Sequence, residues 1–154
     1  MIVGAMTNND VLRSIRYILN VSDVKLMEII AMGDGNVSKD EITAYLRSDD
    51  DPAFEKCSDE VMAHCLNGLV IYKRGKDETR PAQPLEFPIT NNVVLKKVRI
   101  AFELKDDDIV RLISKSGLAV TKTELSAFFR KKTHRNFREC GDQFLRNLLK
   151  GLTT

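Results

Sequence analysis

Tryptophan is absent from this 154-residue sequence, proline occurs four times and cysteine three. The scarcity of proline and the lack of any low-complexity tract exclude an extended disordered chain. A content of 43% hydrophobic and 30% charged residues is that of an ordinary globular protein. No apolar run approaches the roughly 20 residues that span a bilayer, so no membrane partner is expected. The opening Met1-Ile2-Val3-Gly4-Ala5-Met6 lacks the positive start and long apolar core of a signal peptide. With an odd number of cysteines, this argues against a disulfide scaffold and for reduced thiols in a cytoplasmic protein. Neither the Walker pattern nor the dinucleotide glycine fingerprint occurs. No Cys-x-x-Cys pair exists for zinc, and two histidines in unmatched positions form no recognisable set with a nucleophile. No cofactor is expected, and the sequence leans away from an enzyme.

What the chain does contain is a repeat. Residues 90–152 laid without a gap over residues 7–69 are identical at 19 of 63 positions, a self-similarity that signals duplication. Thr7-Asn8-Asn9 returns as Thr90-Asn91-Asn92, Arg16 as Arg99, Glu41 as Glu124, Phe54 as Phe137, Cys57 as Cys140 and Gly68-Leu69 as Gly151-Leu152. The expected organisation is a six-residue extension (1–6, an upstream start or an appended remnant), a first unit (7–72), a proline-containing connection (73–89) and a second unit (90–154). Each unit lies near the lower size limit for independent folding, so the two are expected to pack together around a shared core.

The periodicity is helical throughout. Val11, Leu12, Ile15, Ile18 and Leu19 form one apolar face behind the capping side chains of residues 7–9. Ser22 or Asp23 caps a short second helix, which Gly33-Asp34-Gly35 is expected to stop, because glycine tolerates a left-handed turn. Ser38-Lys39-Asp40-Glu41 has the spacing of a capping box, repeated as Thr121-Lys122-Thr123-Glu124. An acidic turn with Pro52 follows, then Phe54 and Cys57, which plug the end of the helical core. Ser58-Asp59-Glu60 starts a fourth helix bearing Val61, Met62, Cys65, Leu66 and Leu69. The fold class is therefore all-α: two homologous four-helix units in tandem, packed together, with no significant sheet. The connection starts polar and ends with apolar Leu85, Phe87 and Ile89, an end suited to packing across the units.

Residues 34–41 resemble the second half of a calcium-binding loop, but counting back places Ile30 and Met32 where oxygen ligands are required, so the capped helix turn is the better reading. His64 and Cys65 would point about 100° apart on a helix, with Cys65 in the core and His64 at the surface. No metal site is expected.

Three stretches carry a family likeness. They are Asn8-Asn9-Asp10-Val11-Leu12-Arg13-Ser14-Ile15-Arg16-Tyr17, the segment from Leu66 through Asn67-Gly68-Leu69 to Glu78, and Asn136-Phe137-Arg138-Glu139-Cys140-Gly141-Asp142-Gln143-Phe144-Leu145-Arg146. From Thr7 onward the chain resembles the YehS-like family of bacterial cytoplasmic proteins. The resemblance implies a domain of unknown function carried twice, and supplies no catalytic residue.

Charge divides the copies. Residues 1–72 hold 6 Lys+Arg against 12 Asp+Glu, and residues 73–154 hold 18 against 10, giving −6 and +8. The excess is densest at Arg130-Lys131-Lys132-Thr133-His134-Arg135-Asn136-Phe137-Arg138, where the first copy has Arg47-Ser48-Asp49-Asp50-Asp51-Pro52-Ala53-Phe54-Glu55. Candidate contacts to nucleic acid or an acidic partner are Lys96, Lys97, Arg99, Arg130, Lys131, Lys132, Arg135 and Arg138. The leading reading is a protein-interaction or scaffold module, with opposite charges meeting within the chain or between copies. The alternative is nucleic-acid binding by the second copy, against which stands a lack of exposed aromatics for stacking. An enzyme with an active site between the units comes last.

Overall fold

Helices form where the apolar period and the capping residues predict them, and six of the eight described begin at a Ser or Thr side-chain cap. The computed structural model describes residues 5–79 and 83–153. Eight helices lie among them: α1 (Asn8–Leu19), α2 (Asp23–Met32), α3 (Lys39–Leu46), α4 (Asp59–Arg74), α5 (Asn91–Ala101), α6 (Asp106–Ser114), α7 (Lys122–Phe128) and α8 (Asp142–Gly151). No strand occurs among the described residues. The Ser38 hydroxyl accepts from the Glu41 amide at 3.1 Å and the Glu41 carboxylate accepts from the Ser38 amide at 3.0 Å, so both halves of the capping box are made. The Ser38 amide, and after it the Ser38 hydroxyl, hold the Glu41 carboxyl below the ordinary range. Thr121 and Glu124 repeat the box, Thr7 forms one with Asp10, and Ser22 rather than Asp23 caps α2.

Glycine at the end of α2 has a different purpose from the one its turn suggests. The left-handed residue is Asp34, at φ 68°, whereas Gly33 sits at φ −90°. Gly33 is required because a Cβ there would lie 2.0 Å from the His64 carbonyl oxygen, and Gly68 because its Cβ would meet the Ile29 carbonyl at 1.9 Å. The two glycines let α2 and α4 touch backbone to backbone. His64 is half-buried in this crossing rather than free at the surface, its Nδ1–H donating to the Gly33 carbonyl at 2.7 Å.

Leu12, Ile15, Leu26, Ile30, Met62, Leu66, Leu95, Ile109, Leu145 and Leu149 belong to a single continuous core that runs through both units, joined mainly by α4 against α5 and α1 against α8. The joint is reciprocal. Ile89, just ahead of the second unit, donates its amide to the Asp59 carboxylate of the first at 3.2 Å, and Met6, just ahead of the first, bonds through its amide to Asp142 of the second. Met6 also packs against the core, while residues 1–4 lie outside those described. Helix α4 runs two residues past Tyr72 before Gly75, at φ 82°, ends it. At the apolar end of the connection only Ile89 packs inward, since Leu85 and Phe87 stay exposed. Among the described residues no ion pair joins loop 47–55 to loop 130–138, while Arg146 of the second unit shares a depression with Asp10 and Asp49 of the first.

Candidate functional site

In each unit one asparagine of the first helix suspends the loop that follows the third. Asn92 donates through Nδ2 to the carbonyls of Phe128 (3.0 Å) and Arg138 (2.9 Å) and accepts the Cys140 amide at 2.9 Å. Asn91 donates to the Cys140 carbonyl at 3.0 Å and to Asp142 at 2.7 Å. Asn9 and Asn8 make the same set with Tyr45, Glu55, Cys57 and Asp59. These residues are loop anchors rather than caps, and Asn9 is only 1% exposed. Inside the second loop, His134 donates its amide to the Lys131 carbonyl at 2.8 Å and Phe137 to His134 at 3.0 Å, folding the segment into successive turns.

The loop borders a groove of about 580 Å³. Lys96 from α5 and Arg130, Lys131 and Lys132 from the loop bring positive charge to it. Phe87, Phe128, Phe129 and Phe137 line it with aromatic surface, and Glu86 and Glu139 add two carboxylates. Phe87, which comes from the connection, is 55% exposed, so the groove has an open aromatic surface at that wall. Among the described residues no carboxylate pairs with Arg130, Lys131, Lys132, Arg135 or Arg138.

The predicted set is thus only partly assembled. Lys96, Arg130, Lys131 and Lys132 share the groove; Arg135 and Arg138 are exposed but do not line it. Arg99 is committed to Asp106 at 2.9 Å and lies 4.5 Å over the Phe129 ring. Lys97 hardly reaches solvent: it is 2% exposed, with Glu86 3.9 Å away. Burial lowers its pKa, Glu86 opposing and Lys96 adding to the shift. Sequence reasoning missed Glu86 and Phe87, which the connection contributes.

The corresponding depression beside the first unit, about 720 Å³, has that unit's Arg13, Asp10 and Asp49 and the second unit's Arg146 in its wall and no aromatic residue. Arg13 occupies the position of Lys96 and is held by Asp10 (3.0 Å), Asp49 (2.7 Å) and the Arg47 carbonyl (2.6 Å). Val93 and Lys132 replace those two aspartates in the second unit. The first depression neutralises its Arg13 through its own helix and loop; in the second, Lys96 is paired with Glu86, while among the described residues Arg130, Lys131 and Lys132 have no carboxylate partner.

Cys140 lines the groove, but burial, with Asp142 adding, pushes its thiol up to about 12, and Cys57 is likewise pushed to about 12. Thiols of that kind stay protonated and unreactive at neutral pH. Among the described residues no three His, Cys, Asp or Glu side chains come together to hold a metal, and no helix is long and apolar enough to cross a membrane.

A duplicated all-α chain, each copy hung from a paired-asparagine loop anchor, is the class these features define. Residues 8–75 and 91–154 each match the family described as "Protein of unknown function (DUF1456)", and the chain belongs to that family. It is similar to the Uncharacterized protein YehS of Escherichia coli (strain K12), with 48% identity over 147 residues that cover 96% of this chain and 94% of the relative. No solved structure matches the chain.

Proposed function

We propose that the chain is a protein-interaction module whose second unit takes an acidic segment of a partner protein in the groove beside loop 130–138. The supporting observation is the contrast between homologous surfaces: Arg130, Lys131 and Lys132 stand without carboxylate partners over exposed aromatic surface, where the first unit has an ion-paired Arg13. An apolar floor with a cationic rim suits a segment that brings both negative charge and a large side chain.

Self-association is a second reading with its own support. Loop 47–55 of another copy is acidic and exposed, and the chain leaves it unpaired with loop 130–138. The test is fluorescence anisotropy of a labelled acidic peptide and, separately, of a single-stranded oligonucleotide, with light scattering at low and high salt alongside. Binding of the peptide, lost in a Lys131→Glu/Lys132→Glu variant, supports the groove. Oligonucleotide binding with a steep salt dependence and no peptide binding contradicts it.

A further inference from the structure

The connection between the units delivers a carboxylate and an aromatic ring, adjacent in sequence, to this same groove. Glu86 Oε1 lies 2.9 Å from Lys96 Nζ and 3.9 Å from Lys97 Nζ, so one oxygen serves two neighbouring ammonium groups of α5. Phe87 follows it along the groove wall. Lys97 is nearly inaccessible, and a buried ammonium deprived of its counter-ion is strongly unfavourable. Glu86 can therefore be displaced at low cost only by another anion that takes its place between the two lysines. The first unit offers no such exchange, because the carboxylates on Arg13 come from its own helix and loop rather than from a connecting segment.

We propose that Lys96 and Lys97 form an anion-exchange seat, that Glu86-Phe87 occupies it as a tethered stand-in, and that the partner segment presents the same pair of groups, a carboxylate next to an aromatic side chain. This rests on the groove being the partner site. It assigns the ligand chemistry and makes the connection a built-in competitor, so that the affinity measured for a partner is reduced by the fraction of time the stand-in is seated.

The experiment uses the whole chain and a fluorescent peptide of alternating glutamate and phenylalanine. Glu86→Gln keeps the shape of the side chain and removes its charge, and is expected to tighten peptide binding roughly tenfold. Because that substitution leaves Lys97 without a counter-ion, a Phe87→Ala chain, which keeps both lysines and Glu86 and removes the aromatic half of the stand-in, is measured in parallel and is expected to tighten binding as well. In the parent chain, peptide addition is expected to raise amide hydrogen exchange at Leu85, Glu86 and Phe87. Equal or weaker affinity in both variants, with exchange at those amides unchanged, overturns the stand-in while leaving the groove reading in place. Equal binding of a glutamate–alanine peptide overturns the aromatic half of the assignment. Absence of peptide binding in the parent and both variants overturns the groove reading itself.

Discussion

The loops after α3 and α7 hang from equivalent asparagines through equivalent hydrogen bonds, yet one is self-neutralised and the other is not. The difference comes from a few side chains: Asp10 and Asp49 hold Arg13, whereas Val93 and Lys132 leave Lys96 to the connection. A duplicated scaffold therefore preserves its backbone anchoring while the surface it suspends changes sign. The helix crossings diverge in the same way. Gly68 is pressed against the Ile29 carbonyl, whereas its counterpart Gly151 has the Leu112 carbonyl no closer than 3.3 Å to a Cβ.

The largest effect that would break this parallel is expected at the anchors. Asn9→Ala removes two donated bonds and one accepted bond from a fully buried position and should cost about 4 kcal/mol by urea denaturation. Asn92→Ala, at a half-buried equivalent, should cost less, about 2 kcal/mol. Equal losses would mean that burial does not distinguish the units. Next comes the crossing: Gly68→Ala should destabilise by about 3 kcal/mol because backbone must move, and Gly151→Ala by less than about 1 kcal/mol. Thermal melts of the two variants compare them directly.

For the surface, Lys131→Glu/Lys132→Glu should weaken binding of an acidic peptide by roughly ten- to a hundredfold. Asp49→Asn in the first unit should leave that affinity unchanged and cost at most about 0.5 kcal/mol of stability, as exposed ion pairs do. The smallest effect concerns acid. Asn91 first and then the Met6 amide hold the Asp142 carboxyl below its ordinary 3.8. Its contribution to stability is complete above that value and is lost as pH falls through the lowered folded-state pKa. The stability of Asp142→Asn should fall less steeply than the parent's below pH 3.8, measured as urea midpoints at successive pH values.

Much of the fold is legible in residues 38–41 and 121–124, where capping boxes fix helix starts locally, and in the constant offset of the repeat, which carries one unit's helices onto the other. The anchors are visible as Asn-Asn pairs but look like caps, because their acceptors lie 36 to 51 residues away and no local rule connects them. Lys97 has a readable signal: it falls between Val94, Val98 and Ala101, on the buried stripe of α5. Its burial becomes intelligible only when the connection supplies Glu86. Hydrophobicity alone assigns Phe87 to packing across the units, whereas the fold leaves it exposed in a groove that four cationic side chains also line. Charge inversion between the copies is plain in the sequence; which charges are already spent on local partners is not, since pairing is a property of geometry.

The central claim is that the second unit's groove, and not its first-unit counterpart, receives an acidic segment. The most direct measurement is backbone amide chemical-shift mapping of the isotopically labelled chain titrated with the glutamate–phenylalanine peptide. The account predicts shifts at Phe87, Lys96, Phe129, Lys131 and Lys132, with Arg13, Asp49 and Phe54 unmoved. Shifts centred on the first unit, or none in either, would contradict it.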